Sequence, residues 1–151
     1  MMTFIRRLSE TGGGALLLIC VVVLLAACTT TGGGTQTPTG SAAFHDTLKT
    51  TDGQFMIQFS VTPNRLGLNV FTVDVEDASS GKPTSIIQVQ LATTMLDMDM
   101  GTDRVILQPK GNGQYSAQGT LSMIGHWQIR ILLRTSNSTL HQASVEFDTS
   151  S

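Results

Sequence analysis

The chain is almost without cysteine. Of its 151 residues only Cys20 and Cys28 are cysteines, and both lie near the N-terminus. The remaining sequence therefore has no thiol for a disulfide or for a cysteine nucleophile. This absence excludes a disulfide-bonded immunoglobulin domain, and it requires the folded part of the chain to be stabilised by core packing alone.

Basic residues are also few, and they form no run or patch. The chain has 9 Lys and Arg against 11 Asp and Glu, a formal net charge of −2. Proteins that bind nucleic acid usually concentrate positive charge on one surface. We therefore exclude nucleic acid as a partner, and we expect no charge attraction to an anionic lipid surface.

Recognisable catalytic patterns are missing as well. The sequence contains no Gly-x-Ser-x-Gly motif and no glycine-rich phosphate loop. Its three histidines, His45, His126 and His141, are too widely separated for a metal-hydrolase motif. We predict that the protein is not an enzyme.

The N-terminus, in contrast, has the features of a secretory signal. Arg6 and Arg7 precede an uncharged apolar run at residues 15–27 (ALLLICVVVLLAA). This run has about 13 residues, whereas a membrane-spanning helix needs roughly 17–25. Residues 1–27 are therefore predicted to be a signal peptide that is removed from the mature protein.

The cleavage point carries a second signal. The sequence Leu-Ala-Ala-Cys at residues 25–28 resembles the bacterial lipobox. This resemblance implies cleavage before Cys28 and acylation of that cysteine. The protein is then expected outside the cytoplasm, with the lipid bilayer as a partner through its acyl chains.

Residues 28–52 are predicted to be the lipidated cysteine and a flexible linker. The first part, residues 29–41 (TTTGGGTQTPTGS), has almost nothing to bury and is typical of a tether. The second part, residues 42–51, includes Phe44 and His45 and is assigned no secondary structure.

Residues 53–148 show the two-residue apolar alternation of β-strands, with turn residues between the runs. No segment after residue 52 has an apolar period of 3.6 long enough for a helix. This pattern predicts an all-β fold, an immunoglobulin-like sandwich of about seven short strands. Its predicted core residues include Phe71, Tyr115 and Trp127.

Three methionines are crowded into the stretch MLDMDMG at residues 95–101. The strand before it would turn alternate residues inward, which are Ile87, Val89, Leu91, Thr93 and Met95. Continuing that strand would bury Asp97 and Asp99, and unpaired buried carboxylates are costly. We therefore predict that the chain leaves the strand here and forms a loop at one end of the sandwich.

Methionines on a loop have an interpretation that core methionines lack. Thioether sulfur is a soft, uncharged ligand that suits Cu(I). Met95, Met98 and Met100 are candidate copper ligands, and Met123 and His126 are expected to come to the same end. Met56 and His141 are weaker candidates. Ordinary core packing and a methionine-lined contact surface remain alternatives.

The second half of the chain resembles a known family. Residues 112–117 (NGQYSA) and 121–129 (LSMIGHWQI) are similar to the signature G-x-Y … h-x-M-x-G-x-W-x-h of YtkA-like domains, where h is apolar. Residues 63–71 (PNRLGLNVF) are similar to the family's approach to its second strand. The pattern also occurs in the C-terminal extracellular part of CopD-type copper-transport proteins and, more distantly, in FixH-like proteins.

This resemblance implies an immunoglobulin-like sandwich outside the cytoplasmic membrane, in a family associated with copper handling. It aligns Met95, Met98 and Met100 with a methionine-containing loop, and Met123 with the methionine of the signature. It also gives Met123 and Trp127 a structural reason to be present.

Two functional hypotheses follow. In the first, the anchored sandwich binds or relays copper through these methionines, and its partner is a copper transporter or an oxidase under assembly. In the second, the domain is a non-catalytic interaction or assembly module for a membrane protein complex and binds no metal.

Overall fold

Eight β-strands make up residues 43–150, the part of the chain that this computed structural model describes. The predicted signal peptide, Cys28 and most of the predicted linker lie outside the described residues. The strands are β1 (Phe44–Lys49), β2 (Phe55–Thr62), β3 (Gly67–Asp77), β4 (Gln88–Met95), β5 (Thr102–Gly111), β6 (Gln114–Leu121), β7 (His126–Arg134) and β8 (Leu140–Asp148). Within this part of the chain, no helix is long and apolar enough to span a membrane.

The strands pair in the order β1-β2-β3-β6-β5-β4-β7-β8, and every pairing is antiparallel. Strand β5 passes between two layers, because its first half pairs with β4 and its last residues pair with β6. The first and last strands meet where the ring of Phe44 stacks on that of Phe147, with centroids 4.9 Å apart. The prediction of an all-β sandwich is confirmed.

The core lies between the two layers and is built from alternate residues of each strand. Strands β2, β3, β7 and β8 alternate buried and more exposed side chains along most of their length, as strands with one face inward do. Phe71, Tyr115 and Trp127 are all buried. The Tyr115 hydroxyl accepts a hydrogen bond from the Ile86 N–H at 2.5 Å and donates one to the Ile86 carbonyl at 2.9 Å.

The structure corrects the sequence analysis in two places. Strand β1 lies within the range expected to be linker, so the sandwich has eight strands rather than about seven. The inward orientation predicted for Ile87 is wrong, since its side chain is 67% exposed and Ile86 is buried instead. The reason is that the regular alternation begins only at Gln88, where β4 starts, and Tyr115 fixes Ile86 in the core before that point.

Four segments meet at one end of the sandwich, which we call the methionine end. They are the β2–β3 loop (residues 63–66), the β4–β5 loop (96–101), the β6–β7 loop (122–125) and the residues after β8 (149–150). The register places them together, because Met95 pairs with Trp127 and His126 pairs with Asp148. Strand β1 also begins here, since Phe44 pairs with Val61.

Candidate functional site

The β4–β5 loop begins where the sequence predicts that the strand ends. Strand β4 stops at Met95, and β5 starts at Thr102. The hydroxyls of Thr94 and Thr102 are 2.9 Å apart and close the base of the loop. The Asp99 carboxylate accepts a hydrogen bond from the Gly101 N–H at 3.2 Å. The prediction of a loop at one end of the sandwich is confirmed.

The three clustered methionines divide into two environments. Met95 is 5% exposed and belongs to the hydrophobic core. Met98 and Met100 are 46% and 51% exposed. The division follows the end of the strand, because Met95 is the last residue with an inward position on β4. The loop therefore offers two thioethers to solvent, and the third side chain packs inside.

Two hydrogen bonds fasten this loop to His126, the first residue of β7, which directly follows the β6–β7 loop. The Leu96 N–H donates to the His126 carbonyl at 2.8 Å. The His126 N–H donates to the Asp97 carboxylate at 2.7 Å. The second bond uses a side chain where a strand would use a carbonyl, so it continues the β4–β7 pairing just past the end of β4. The Met98–Met100 segment is thus attached next to the loop that carries Met123.

Gly125 is required at the point where the two loops touch. Its φ of 151° is rarely adopted by residues with a side chain. A Cβ atom at this position would lie 2.4 Å from an Asp97 carboxylate oxygen and 2.6 Å from the Met95 Cε. The glycine of the Met-x-Gly-x-Trp pattern therefore allows the β4–β5 loop to approach the β6–β7 loop closely.

Met123 has a structural role at this end. Its side chain is half-buried and packs against the core. Its carbonyl accepts hydrogen bonds from the Trp127 indole N–H at 3.2 Å and from the Thr149 hydroxyl at 3.3 Å. Met123 is therefore held in place on the loop next to the one that carries Met98 and Met100.

His126 is half-buried and lies between two carboxylates of β8. Its Nδ1 is 3.0 Å from Asp148 Oδ1, and its Nε2 is 3.5 Å from Glu146 Oε2. The hydrogen bond to Asp148 raises the pKa of His126 above its ordinary 6.5, and Glu146 adds to the effect, whereas desolvation opposes it. Because metals bind neutral imidazole, this arrangement favours the proton over a metal.

The two weaker candidates do not reach the methionine end. His141 pairs with Leu133 at the far end of the sandwich, where it is buried. Its Nδ1 is 2.5 Å from Asp52 Oδ2, and its ring meets Phe55 edge to face. Met56 is half-buried and pairs with Lys49 and Glu76, also toward the far end. The expectation that they contribute to the same site is wrong, because their positions on β2 and β8 lie toward the opposite end of the sandwich.

The donor atoms at the methionine end are chiefly thioether sulfurs. Within residues 43–150, no group of three or more His, Cys, Asp or Glu side chains is arranged to hold a metal ion. The candidates there are the exposed Met98 and Met100, the half-buried Met123 and His126, and the buried Met95. The chemistry of this set is that of a soft-metal site or of an apolar contact surface.

Sequence analysis missed Asn64, which joins the β2–β3 loop to the end of β8. Asn64 is buried with a φ of 55°, and its side-chain N–H donates to the Asp148 carbonyl at 3.1 Å. Its own carbonyl accepts from the Ser150 N–H at 3.1 Å and from the Ser150 hydroxyl at 2.6 Å. The Pro-Asn pair signalled a turn, but it carried no information about the partner strand.

A match to a family profile identifies the protein's relatives. The sequence profile of the YtkA-like family matches residues 47–132, more than half of the chain. The chain belongs to the YtkA-like family. The matched segment runs from within β1 to within β7, so the YtkA-like match covers the methionine end apart from the residues after β8. The resemblance predicted from the signature is confirmed.

A solved structure shares the fold of this domain. A copper-bound variant of FetP from uropathogenic Escherichia coli strain F11 superposes with a TM-score of 0.56 and 9% identity, covering 71% of this chain and 97% of FetP. FetP as isolated, from the same strain, gives a TM-score of 0.48 and 9% identity, covering 71% and 94%. At this identity the likeness shows the fold alone. No curated protein matches the chain.

Proposed function

We propose that the protein is an extracytoplasmic lipoprotein, anchored by acylated Cys28, whose YtkA-like domain binds Cu(I) at the methionine end and passes it to a partner. The observation that carries this proposal is the pair Met98 and Met100. Both are exposed on a single loop, and that loop is hydrogen-bonded to His126, three residues after Met123. A copper-bound protein of the same fold adds support.

The candidate ligands can be ranked by how exposed each side chain is and by which contacts it would have to give up to bind copper. Met98 and Met100 are accessible without any rearrangement, and Met123 is half-buried on the neighbouring β6–β7 loop. Met95 would have to leave the core to bind, so we assign it the role of support for the loop. His126 would have to give up a carboxylate partner and a proton, so we place it last.

The surrounding charge suits a cation. Asp97 and Asp99 flank Met98 and bring negative charge to the loop without using thioether positions. Thioethers are neutral and bind soft metals at any ordinary pH. Because the two sulfurs lie on exposed side chains, an incoming ligand on a partner can reach the metal. This suits relay to a copper transporter or an oxidase under assembly.

Titration with Cu(I) tests the binding proposal. The mature chain carrying Cys28→Ser, to remove the thiol, is titrated in the absence of oxygen against a competing chelator. We expect a Kd of about micromolar or tighter, and at least a tenfold weakening in Met98→Leu/Met100→Leu, roughly 1.4 kcal/mol or more. Met56→Leu is the matched control at the far end of the sandwich. Weak binding that the double substitution leaves unchanged contradicts the proposal.

Metabolic labelling tests the anchor separately. Cells given radioactive palmitate should label the protein, and Cys28→Ser should abolish the label and release the protein from the membrane fraction. Cys20→Ser is the matched control, because Cys20 lies inside the segment predicted to be removed. Labelling that persists in Cys28→Ser refutes anchoring at this residue.

A further inference from the structure

Exposed large apolar side chains are concentrated at the methionine end. Five of the ten such side chains among residues 43–150 lie there, and they are Leu66, Leu96, Met98, Met100 and Ile124. Isolated exposed apolar residues are ordinary, but a group on one face usually marks a contact surface. The copper proposal uses two of the five and gives no reason for the remaining three.

Hydrogen bonds join the segments that carry these side chains. The side chain of Asn64 bonds to the Asp148 carbonyl, and the Thr149 N–H bonds to the Gly125 carbonyl at 3.1 Å. The Asp97 carboxylate completes the series at the His126 N–H. The β2–β3, β6–β7 and β4–β5 loops are therefore linked in a row, and they present their apolar side chains from one end of the domain.

The acidic residues of this end are engaged with the protein itself. Asp97 accepts from the His126 N–H, and Asp99 accepts from the Gly101 N–H in its own loop. Asp148 is paired with the His126 ring. Each of these exposed carboxylates has a partner within the protein, whereas the exposed side chains of Leu66, Leu96 and Ile124 have no cover in the described part of the chain.

The chain enters the domain at this same end. Phe44 begins β1 opposite Val61, one residue before the end of β2 and next to the β2–β3 loop. Cys28 precedes Phe44 by 16 positions, and the sequence between them is rich in Thr and Gly. Chains of this composition and length span roughly 20 Å on average. The segment that follows the proposed anchor therefore joins the domain at the methionine end.

We propose that the methionine end lies directly on the outer surface of the lipid bilayer, with Leu66, Leu96 and Ile124 in contact with the boundary between headgroups and acyl chains. This inference rests on the anchoring proposed above. We choose lipid as the partner because the acylated N-terminal segment would bring the bilayer close to this surface in every molecule of the protein. Contact is apolar and not electrostatic, because this end has no basic cluster and carries several carboxylates.

Fluorescence quenching in vesicles tests the contact. The mature chain is coupled through Cys28 to a maleimide-bearing lipid in phosphatidylcholine vesicles whose acyl chains carry bromine, which quenches indole. Ile124→Trp reports on the methionine end, and Leu140→Trp is the matched control, since Ile124 is 51% exposed and Leu140 at the far end is 55% exposed. Trp127 is buried, and the unsubstituted chain provides its background. We expect at least about threefold stronger quenching at position 124 than at position 140.

A second pair of substitutions separates docking from mere proximity. Leu66→Ser/Leu96→Ser, added to the Ile124→Trp reporter, should reduce quenching to the level seen at position 140. Both replaced side chains are exposed, so the fold is retained. Equal quenching at the two reporter positions, or quenching that the serine substitutions leave unchanged, overturns the proposal. A methionine end that contacts a membrane protein instead of lipid gives equal quenching at positions 124 and 140 in pure lipid vesicles.

The test does not depend on the function proposed above. The maleimide lipid replaces cellular acylation, and no copper is added. Failure of palmitate labelling or of Cu(I) binding therefore leaves this measurement intact, and a negative quenching result leaves those two proposals standing.

Discussion

The carboxylate of Asp97 accepts a hydrogen bond from the backbone N–H of His126 at 2.7 Å, and this bond holds the methionine-bearing loop against the start of β7. The Leu96 N–H donates to the His126 carbonyl beside it. The position of Met98 and Met100 relative to β7 thus depends on the Asp97 side chain together with one backbone hydrogen bond.

Replacing that aspartate should loosen the loop. We expect Asp97→Ala to lower the free energy of unfolding by about 1 kcal/mol, since an N–H donor loses its partner. Asp99→Ala is the control, because Asp99 bonds only within its own loop, and we expect a smaller loss. Urea denaturation measures both. An equal loss of unfolding free energy in the two variants would show that the Asp97–His126 bond stabilises the protein no more than the bond within the loop.

Gly125→Ala should act through the same aspartate. The new Cβ would occupy the space of the Asp97 carboxylate, which must move and release the His126 N–H. With the strain of a φ of 151°, we expect a loss of about 2 kcal/mol. Gly101→Ala, where a Cβ meets nothing within 4 Å, should cost less. In a double-mutant cycle with Asp97→Ala the losses should be less than additive, and full additivity contradicts the shared mechanism.

The pairing of His126 makes stability depend on pH. Its pKa is raised chiefly by the hydrogen bond to Asp148, so the folded state binds the proton more tightly than the unfolded state. This contribution is fully present below pH 6.5 and is lost as the pH rises through the folded-state pKa. Asp148→Asn should move the pKa of His126 back toward 6.5, further than Glu146→Gln does. An NMR titration of the imidazole measures both shifts, and a larger effect of Glu146→Gln would contradict the assignment.

The affinity for Cu(I), measured across the pH interval in which His126 loses its proton, distinguishes between two sets of copper ligands. If the thioethers of Met98 and Met100 hold Cu(I) without His126, the affinity should not change as His126 loses its proton. A marked increase in affinity over that pH interval, abolished by His126→Gln, would instead place the imidazole among the ligands.

Asp52 should make the far end of the sandwich sensitive to acid. Its pKa is lowered from 3.8 to about 2, first by the Thr50 hydroxyl and then by His141. The stabilisation is present above pH 3.8 and is lost as the pH falls to about 2. Thr50→Val should raise the pKa of Asp52, whereas Ser79→Ala should leave it unchanged and raise that of Asp77. NMR titration of the carboxyl groups measures both pKa values. An unchanged pKa of Asp52 in Thr50→Val would refute the Thr50 hydroxyl as the main cause of its lowered pKa.

A strand could be predicted from the sequence where the residues on its inward face are apolar and those on its outward face are mostly polar. Strand β7 alternates strictly because each inward residue is apolar and the outward ones are largely polar. Strand β1 was missed because only Phe44 and Leu48 are apolar, four positions apart, and the strand is defined by its pairing with β2. The other residues of β1 are polar or charged, so its pairing with β2 leaves no apolar alternation in the sequence.

The candidate site was predictable in outline and not in detail. The cost of burying Asp97 and Asp99 predicted that the chain leaves the strand within the methionine cluster, and β4 ends there, at Met95. The use of Asp97 as an acceptor for His126 could not be foreseen, because it depends on which strand lies beside β4. The position of His141 at the far end follows from strand direction, which single-residue patterns do not encode.

The stacked rings of Phe44 and Phe147 also have a mechanical consequence. Both aromatic residues belong to strand ends at the methionine end, so a load applied between the first and last described residues pulls β1 away from β2 and β8 away from β7, starting from that side. The backbone hydrogen bonds of each pair then break one after another instead of shearing together. Tension that reaches the domain along its N-terminal chain would thus be resisted first by this aromatic pair.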